Sequence, residues 1–237
     1  MGHLDPFRST PREIDAFRSR LERRNLGLTI ESGARFLLDP HRKHHPTLLS
    51  SGGSQRRQEL LIRLIDLAAE LGSPLLSIWS GAREPDTPDL DFALDLLAER
   101  LKPVLERAAL CDVLLCFEPE PGMLVETLHD YLALTERLGG QKLWLTLDTG
   151  HLAARETPPY ERHLLRSGSV LRNLHLDDAP AGEHEHRFFG EGVLDFRALF
   201  GALRQIDYDG PLSVELSRHS HLAPQMARRA IDFLRTL

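Results

Sequence analysis

The chain has 237 residues, 41% of them hydrophobic and 27% charged, with a formal net charge of −6 and a pI of about 6.1. That length fits one α/β domain, here residues 1–237, with enough apolar material for a sizeable core. The acidic balance argues against nucleic acid or an anionic membrane as the main partner, and it is too mild to imply disorder.

Met1 to Pro6 lacks the apolar run of a secretory signal, and the Pro6-Phe7 context lacks the Ser or Thr that myristoylation at Gly2 would want. Nothing approaches 18 consecutive apolar residues, so no membrane span is expected. Cys111 and Cys116, both beside an apolar run, read as reduced thiols in buried positions; the spacing alone is a weak zinc signal. The expected location is cytoplasmic.

The first helix opens with Ser9 or Thr10 as cap, Pro11 in the first turn and Glu13 placed for a capping box; Ile14, Phe17 and Leu21 keep helical spacing, and Asn25 closes it. A strand follows at 26–31, then a long polar loop, then a helix over 55–71 ending at Gly72. A second strand at 74–79 leads to a helix over 88–109, and a third at 113–118 to a helix over 125–138 that stops at Gly139-Gly140. A fourth strand at 143–148 precedes a shorter helix around 158–167. A fifth at 170–177 is followed by a loop and a helix over 195–206, and a sixth at 212–215 by a last helix over 224–236. Six βα units without hairpin turns imply a parallel sheet covered by helices. A doubly wound sheet is disfavoured, because Gly190-Glu191-Gly192 does not directly follow a strand.

The strand ends discriminate further. They carry Glu31, Glu118, Asp148, His175 with Asp177, and Glu215. Carboxyl ends of parallel strands converge where α/β active sites lie, and several buried carboxylates there require a cation. Glu, Asp, His and Glu form a mixed oxygen and nitrogen set suited to Mn²⁺, Mg²⁺, Co²⁺ or Zn²⁺. The competing reading is that these acids cap the following helices, as Asp148-Thr149-Gly150 and Glu215-Leu216-Ser217 would allow. Glu120 competes with Glu118; Glu118 is preferred because it ends the apolar run directly. The loop from Ser32 to Pro46 gathers basic and titratable side chains that suit a phosphate or carboxylate, with Arg35 the leading candidate and a plain solvated loop the alternative. Arg35 and the strand-end residues Glu31 and Trp79 are therefore candidates for substrate contact.

Asp148-Thr149-Gly150-His151 resembles the Asp-Thr-x-His element of the xylose isomerase-like TIM barrels, which include sugar epimerases, hydroxypyruvate isomerase, inosose dehydratase and endonuclease IV. His175-Leu176-Asp177-Asp178 resembles their His-x-x-Asp element, His186 before Gly190-Glu191-Gly192 their His-x-x-x-Gly-x-Gly segment, and Asp209-Gly210 before Glu215 their final strand. The resemblance spans about residues 113–217. It implies a (β/α)8 TIM-barrel fold, a divalent metal held by Glu118, Asp148, His175 and Glu215, and Glu118 and Glu215 as the acid/base pair. His151 would act on substrate, and His186 would face substrate or help a second metal. His184 stands where nuclease-like members carry Asp, and their two earlier histidine ligands have no match here, which argues against DNA repair. In the resembling proteins the Glu118 strand is usually the fifth, so the six visible units correspond to a barrel lacking its first two strands. An upstream true start, a covering second chain or a rearranged remnant would each account for that.

The activity these features imply is a metal-dependent isomerase or epimerase acting on a small sugar or other polyhydroxylated carbonyl compound through an enediolate. A dehydratase or lyase on the same scaffold, and a non-catalytic truncated barrel acting as a binding or scaffold protein, are the alternatives. The expected partner is a small-molecule substrate, with neither nucleic acid nor membrane; a homo-oligomer is compatible with the sequence.

Overall fold

The structure, a computed structural model, describes residues 4–237; Gly2 lies outside them. The chain divides into two compact units. The first comprises the residues up to Phe117 together with Gly122–Leu143, the second Glu118–Pro121 together with Trp144–Leu237.

The first unit holds α1 (Pro11–Glu22), β1 (Ile30–Glu31), α2 (Ser54–Leu71), β2 (Leu75–Ile78), α3 (Leu90–Leu110), β3 (Leu114–Phe117) and α4 (Leu128–Arg137). β1 pairs with β2 and β2 with β3, both in parallel. Local chemistry sets the helix starts. Thr10 and Glu13 form the capping box of α1, Asp89 caps α3 on the amide of Phe92, and Thr127 with Asp130 makes a second capping box on α4. α2 ends at Gly72 in left-handed backbone, φ 72°. Leu75, Leu76 and Ile78 of β2 are buried, as are Leu61 and Ile65 of α2 and Leu97 and Leu101 of α3, all essentially inaccessible. Each such side chain contributes about 1.5–3 kcal/mol of transfer free energy.

The second unit holds β4 (Trp144–Asp148), α5 (Thr149–Arg155), α6 (Glu161–Ser167), β5 (Leu171–Leu176), α7 (Phe196–Gln205), β6 (Leu212–Val214), a 3-10 turn (Ser217–Leu222) and α8 (Ala223–Leu234). β4 pairs with β5 and β5 with β6, again in parallel. Phe188, Phe189, Phe196 and Phe233 form an aromatic cluster with centroid separations of 4.8–6.3 Å.

Six strands in parallel pairs, alternating with helices, give the α/β class read from the sequence. Two elements differ from expectation. The first strand shrinks from six residues to Ile30–Glu31. β1 has a strand partner on one side only among the described residues, and Leu26, 56% exposed, gains nothing from extending the ladder. The second difference is α5, which starts on the residue after β4. Seven residues are too few for a 3.6-residue pattern to emerge, and Pro158-Pro159 separates α5 from α6. Neither cysteine forms a disulfide among the described residues; Cys116 is buried in β3 and Cys111 is half-buried at the end of α3. Among the described residues no helix is long and apolar enough to cross a membrane.

Candidate metal and substrate site in the second unit

β4 and β5 are apolar strands interrupted at every second position by buried polar groups. Thr146 stands opposite Asn173 and Asp148 opposite His175, so strand periodicity puts these four side chains on one face. Asn173 donates from Nδ2 to Thr146 Oγ1 (3.3 Å) and to His175 Nε2 (3.2 Å). That leaves His175 Nδ1 to meet Glu118 Oε1 at 3.2 Å and Glu215 Oε2 at 3.1 Å.

Glu118, Asp148, His175 and Glu215 bring one ligand atom each within 4.8 Å of one another. Glu118, Asp148 and His175 are buried, and the Glu215 side chain is about 40% exposed. Glu120, the competing carboxylate, is half-buried and does not belong to this group. Asp148 also serves the capping role that competed with ligation: it accepts from the His151 amide (2.8 Å) through Oδ1 and so starts α5. Its other oxygen, Oδ2, is buried without a hydrogen-bond partner among the described residues. Glu215, by contrast, makes no such cap among the described residues: the turn after it has Leu216 at its start and no side-chain cap.

The electrostatics follow from crowding acids in a dry place. Burial pushes the Asp148 carboxyl far above the usual range, and the nearby Asp177 and Glu215 add to it. Asp177 rises to about 7, chiefly through burial. Burial also acts to raise Glu215, but the hydrogen bond from His175 and the charges of His175 and His186 carry it down to about 2. Three carboxylates around one imidazole, one with an orphaned buried oxygen, fit a divalent cation. Hard oxygens with a single borderline nitrogen suit Mn²⁺, Mg²⁺, Co²⁺ or Zn²⁺.

Three histidines flank this set. His151, His184 and His186 have ring centroids 4.9–5.7 Å apart, and their nitrogens also converge within 4.8 Å. His151 holds Nδ1 against Pro119 O (3.2 Å) and leaves Nε2 buried without a hydrogen-bond partner among the described residues. Burial, with His184 and His186 beside it, lowers His151 to about 3, so the ring is neutral at physiological pH. His186 Nδ1 meets Asp177 Oδ2 at 2.7 Å.

Asp177, one of the strand-end acids in the sequence but outside the four residues that the resemblance implies as ligands, organises this corner. It accepts from the Gly150 amide (2.7 Å) as well as from His186, and Thr149 Oγ1 donates to its carbonyl (2.7 Å). A Cβ on Gly150 would lie 2.5 Å from Asp177 Oδ2, so only glycine fits. The readable signal is the every-second-residue series Asn173, His175, Asp177 in an apolar strand. Asp178 acts elsewhere. Its carboxylate accepts from the amides of Gly190, Gly192 and Leu194 and pins the 178–194 loop.

The remaining substrate candidates belong to the first unit. Glu31 ends β1 and is exposed; Arg35 is exposed in the next loop; Trp79 is buried directly after β2.

The profile of the family described as xylose isomerase-like TIM barrel matches residues 2–237. A ketose 3-epimerase of Arthrobacter globiformis is 27% identical over 231 residues, covering 95% of this chain and 74% of its own length. A 3-dehydroshikimate dehydratase of Pseudomonas aeruginosa is 28% identical over 191 residues, which are 77% of this chain and 29% of that protein. The crystal structure of the 3-keto-D-glucoside 4-epimerase YcjR from E. coli superposes with a TM-score of 0.77 at 20% identity, covering 95% of this chain and 85% of that one, a likeness of fold.

Proposed function

The chain belongs to the xylose isomerase-like TIM barrel family, and from that premise we propose that it is a divalent-metal-dependent epimerase or isomerase of a small ketose or related polyhydroxylated carbonyl compound. The observation that carries this reading is the pair Glu118 and Glu215, both on His175 Nδ1 and both able to reach one ligand position with Asp148. The ketose 3-epimerase relative supports the substrate class.

Glu118, Asp148, His175 and Glu215 would hold the cation, which when bound supplies Lewis-acid polarisation of a hydroxy-carbonyl unit. Inverting a carbon next to a carbonyl needs one carboxylate to remove its proton and a carboxylic acid to return one from the other side, through an enediolate. Glu215, held near 2, enters ionised and is the acceptor; the complementary donor is Glu118. Neutral His151 presents its unpartnered Nε2 as a hydrogen-bonding group for a substrate oxygen. His186, aligned by Asp177, is a second substrate contact.

The test is incubation of metal-reconstituted protein with a panel of ketoses in D₂O, read by NMR. Deuterium entering the carbon next to the carbonyl, together with the epimer or isomer, is the expected result. No exchange with any ketose and any of the four cations would overturn it. A dehydratase is the second reading because of the Pseudomonas relative; it would show as an unsaturated carbonyl product absorbing in the ultraviolet.

A further inference from the structure

In the first unit, Arg57 extends from the first turn of α2 and is buried, 1% exposed. Its guanidinium lies 4.4 Å above the Trp79 ring, and neither terminal nitrogen has a hydrogen-bond partner among the described residues. His44 meets the same indole edge-on, with centroids 5.2 Å apart, and its Nδ1 is also buried and unpartnered. Ser32, directly after β1, has a buried and unpartnered hydroxyl, and the adjacent Gly33 would bring a Cβ within 3.8 Å of the His44 ring. The charges acting on His44 are those of Lys43, Arg57 and Arg35, all cationic. Asp39 of this loop pairs with Arg42, and Asp39 and Glu84 approach His45.

A buried guanidinium without a counter-ion is costly, and the hydroxyl and ring nitrogen near it, each able to donate, have no partner among the described residues. A planar fork stacked on an indole is the geometry that receives phosphate or carboxylate through two parallel hydrogen bonds. We propose that Arg57, Ser32 and His44, floored by Trp79, form an oxyanion site that takes the phosphate ester or carboxylate group of a ligand. The anion-holding role expected of Arg35 thus falls first on Arg57, with exposed Arg35 adding long-range charge. The guanidinium nitrogens are covered, and in the adjoining loop Arg35 and His44 both hold left-handed backbone, φ 40° and 63°. This site stands independently of the metal site of the second unit.

The test is calorimetric titration of the metal-loaded full chain with inorganic phosphate and, separately, acetate. Saturable binding of phosphate identifies a phosphate ester as the physiological group, and binding of acetate alone a carboxylate. Arg57→Met is expected to weaken that binding at least tenfold while its thermal midpoint without anion stays level or rises, because an unpaired charge has been removed. Should Arg57→Met fail to fold, Ser32→Ala is expected to weaken binding several-fold. Binding of neither anion, or affinities unchanged in the variants, as when the anion sits on the metal, overturns the proposal.

Discussion

The two units bury opposite excesses. In the second, acceptors crowd together: three carboxylates share one imidazole, and Asp148 keeps an oxygen without a donor among the described residues. In the first, groups able to donate crowd together: Arg57 and His44 pack on Trp79, Ser32 adjoins Gly33 beside the His44 ring, and their buried polar atoms have no partner among the described residues. A folded chain leaves few buried polar atoms unpaired, so those it does leave carry information. Their sign agrees with the two proposals, a cation for the second unit and an anion for the first.

The largest expected effect tests the acceptor side. Glu215→Gln keeps the side-chain shape but removes the proton acceptor, and should lower kcat/KM by about 10²–10⁴-fold, the range of a lost general base. His175→Ala should instead reduce bound divalent metal in elemental analysis of the purified protein. If both variants retained wild-type turnover and metal content, the acceptor cluster would be a structural acid network only.

The next effect is one of stability. Gly150→Ala drives a methyl group into the Asp177 carboxylate, 2.5 Å away, in a close-packed corner. Overpacking of this kind costs about 1–3 kcal/mol, readable as a lower urea midpoint. Gly201, inside α7, has open space around its would-be Cβ. There the same substitution should stabilise by about 0.5–1 kcal/mol. Equal responses at the two positions would remove the case that Asp177 is rigidly held.

The contrast between the units also separates what is legible in the sequence from what is not. The acceptor side is legible in two steps: the rule that strand ends converge offers Glu31, Glu118, Asp148, His175 with Asp177, and Glu215, and the family resemblance narrows these to Glu118, Asp148, His175 and Glu215. Asp148 shows the limit of that reading, since capping and ligation look like rivals in the sequence and one carboxylate has an oxygen for each. The donor site is half-visible. Arg35 is conspicuous in a basic loop, but Arg57 sits in an amphipathic helix where an arginine normally faces water. Only tertiary packing turns it inward onto Trp79. β1 is shorter than its apolar run suggests for the same reason: pairing and burial, which a pattern does not contain, decide where a strand ends.

The last expected effect probes the donor side through protons. Burial, then the charges of Lys43, Arg57 and Arg35, depress His44 to about 4. An unfolded histidine titrates near 6.5, so between about pH 6.5 and 4 the unfolded chain binds more protons at this position than the folded one. The His44 contribution is therefore fully present above pH 6.5 and is lost as the pH falls towards 4. After discounting for partial exposure, this amounts to about 1–2 kcal/mol across the window. His44→Gln should flatten the acid limb of the stability curve by that amount, measured by urea unfolding at pH 7 and pH 4.5. A bound oxyanion neutralises the neighbouring guanidinium and favours the protonated ring, so phosphate should flatten the wild-type curve in the same direction. An acid limb identical in the variant and the wild type would mean that the cations around Trp79 do not act on His44, and the donor cluster would lose its electrostatic basis.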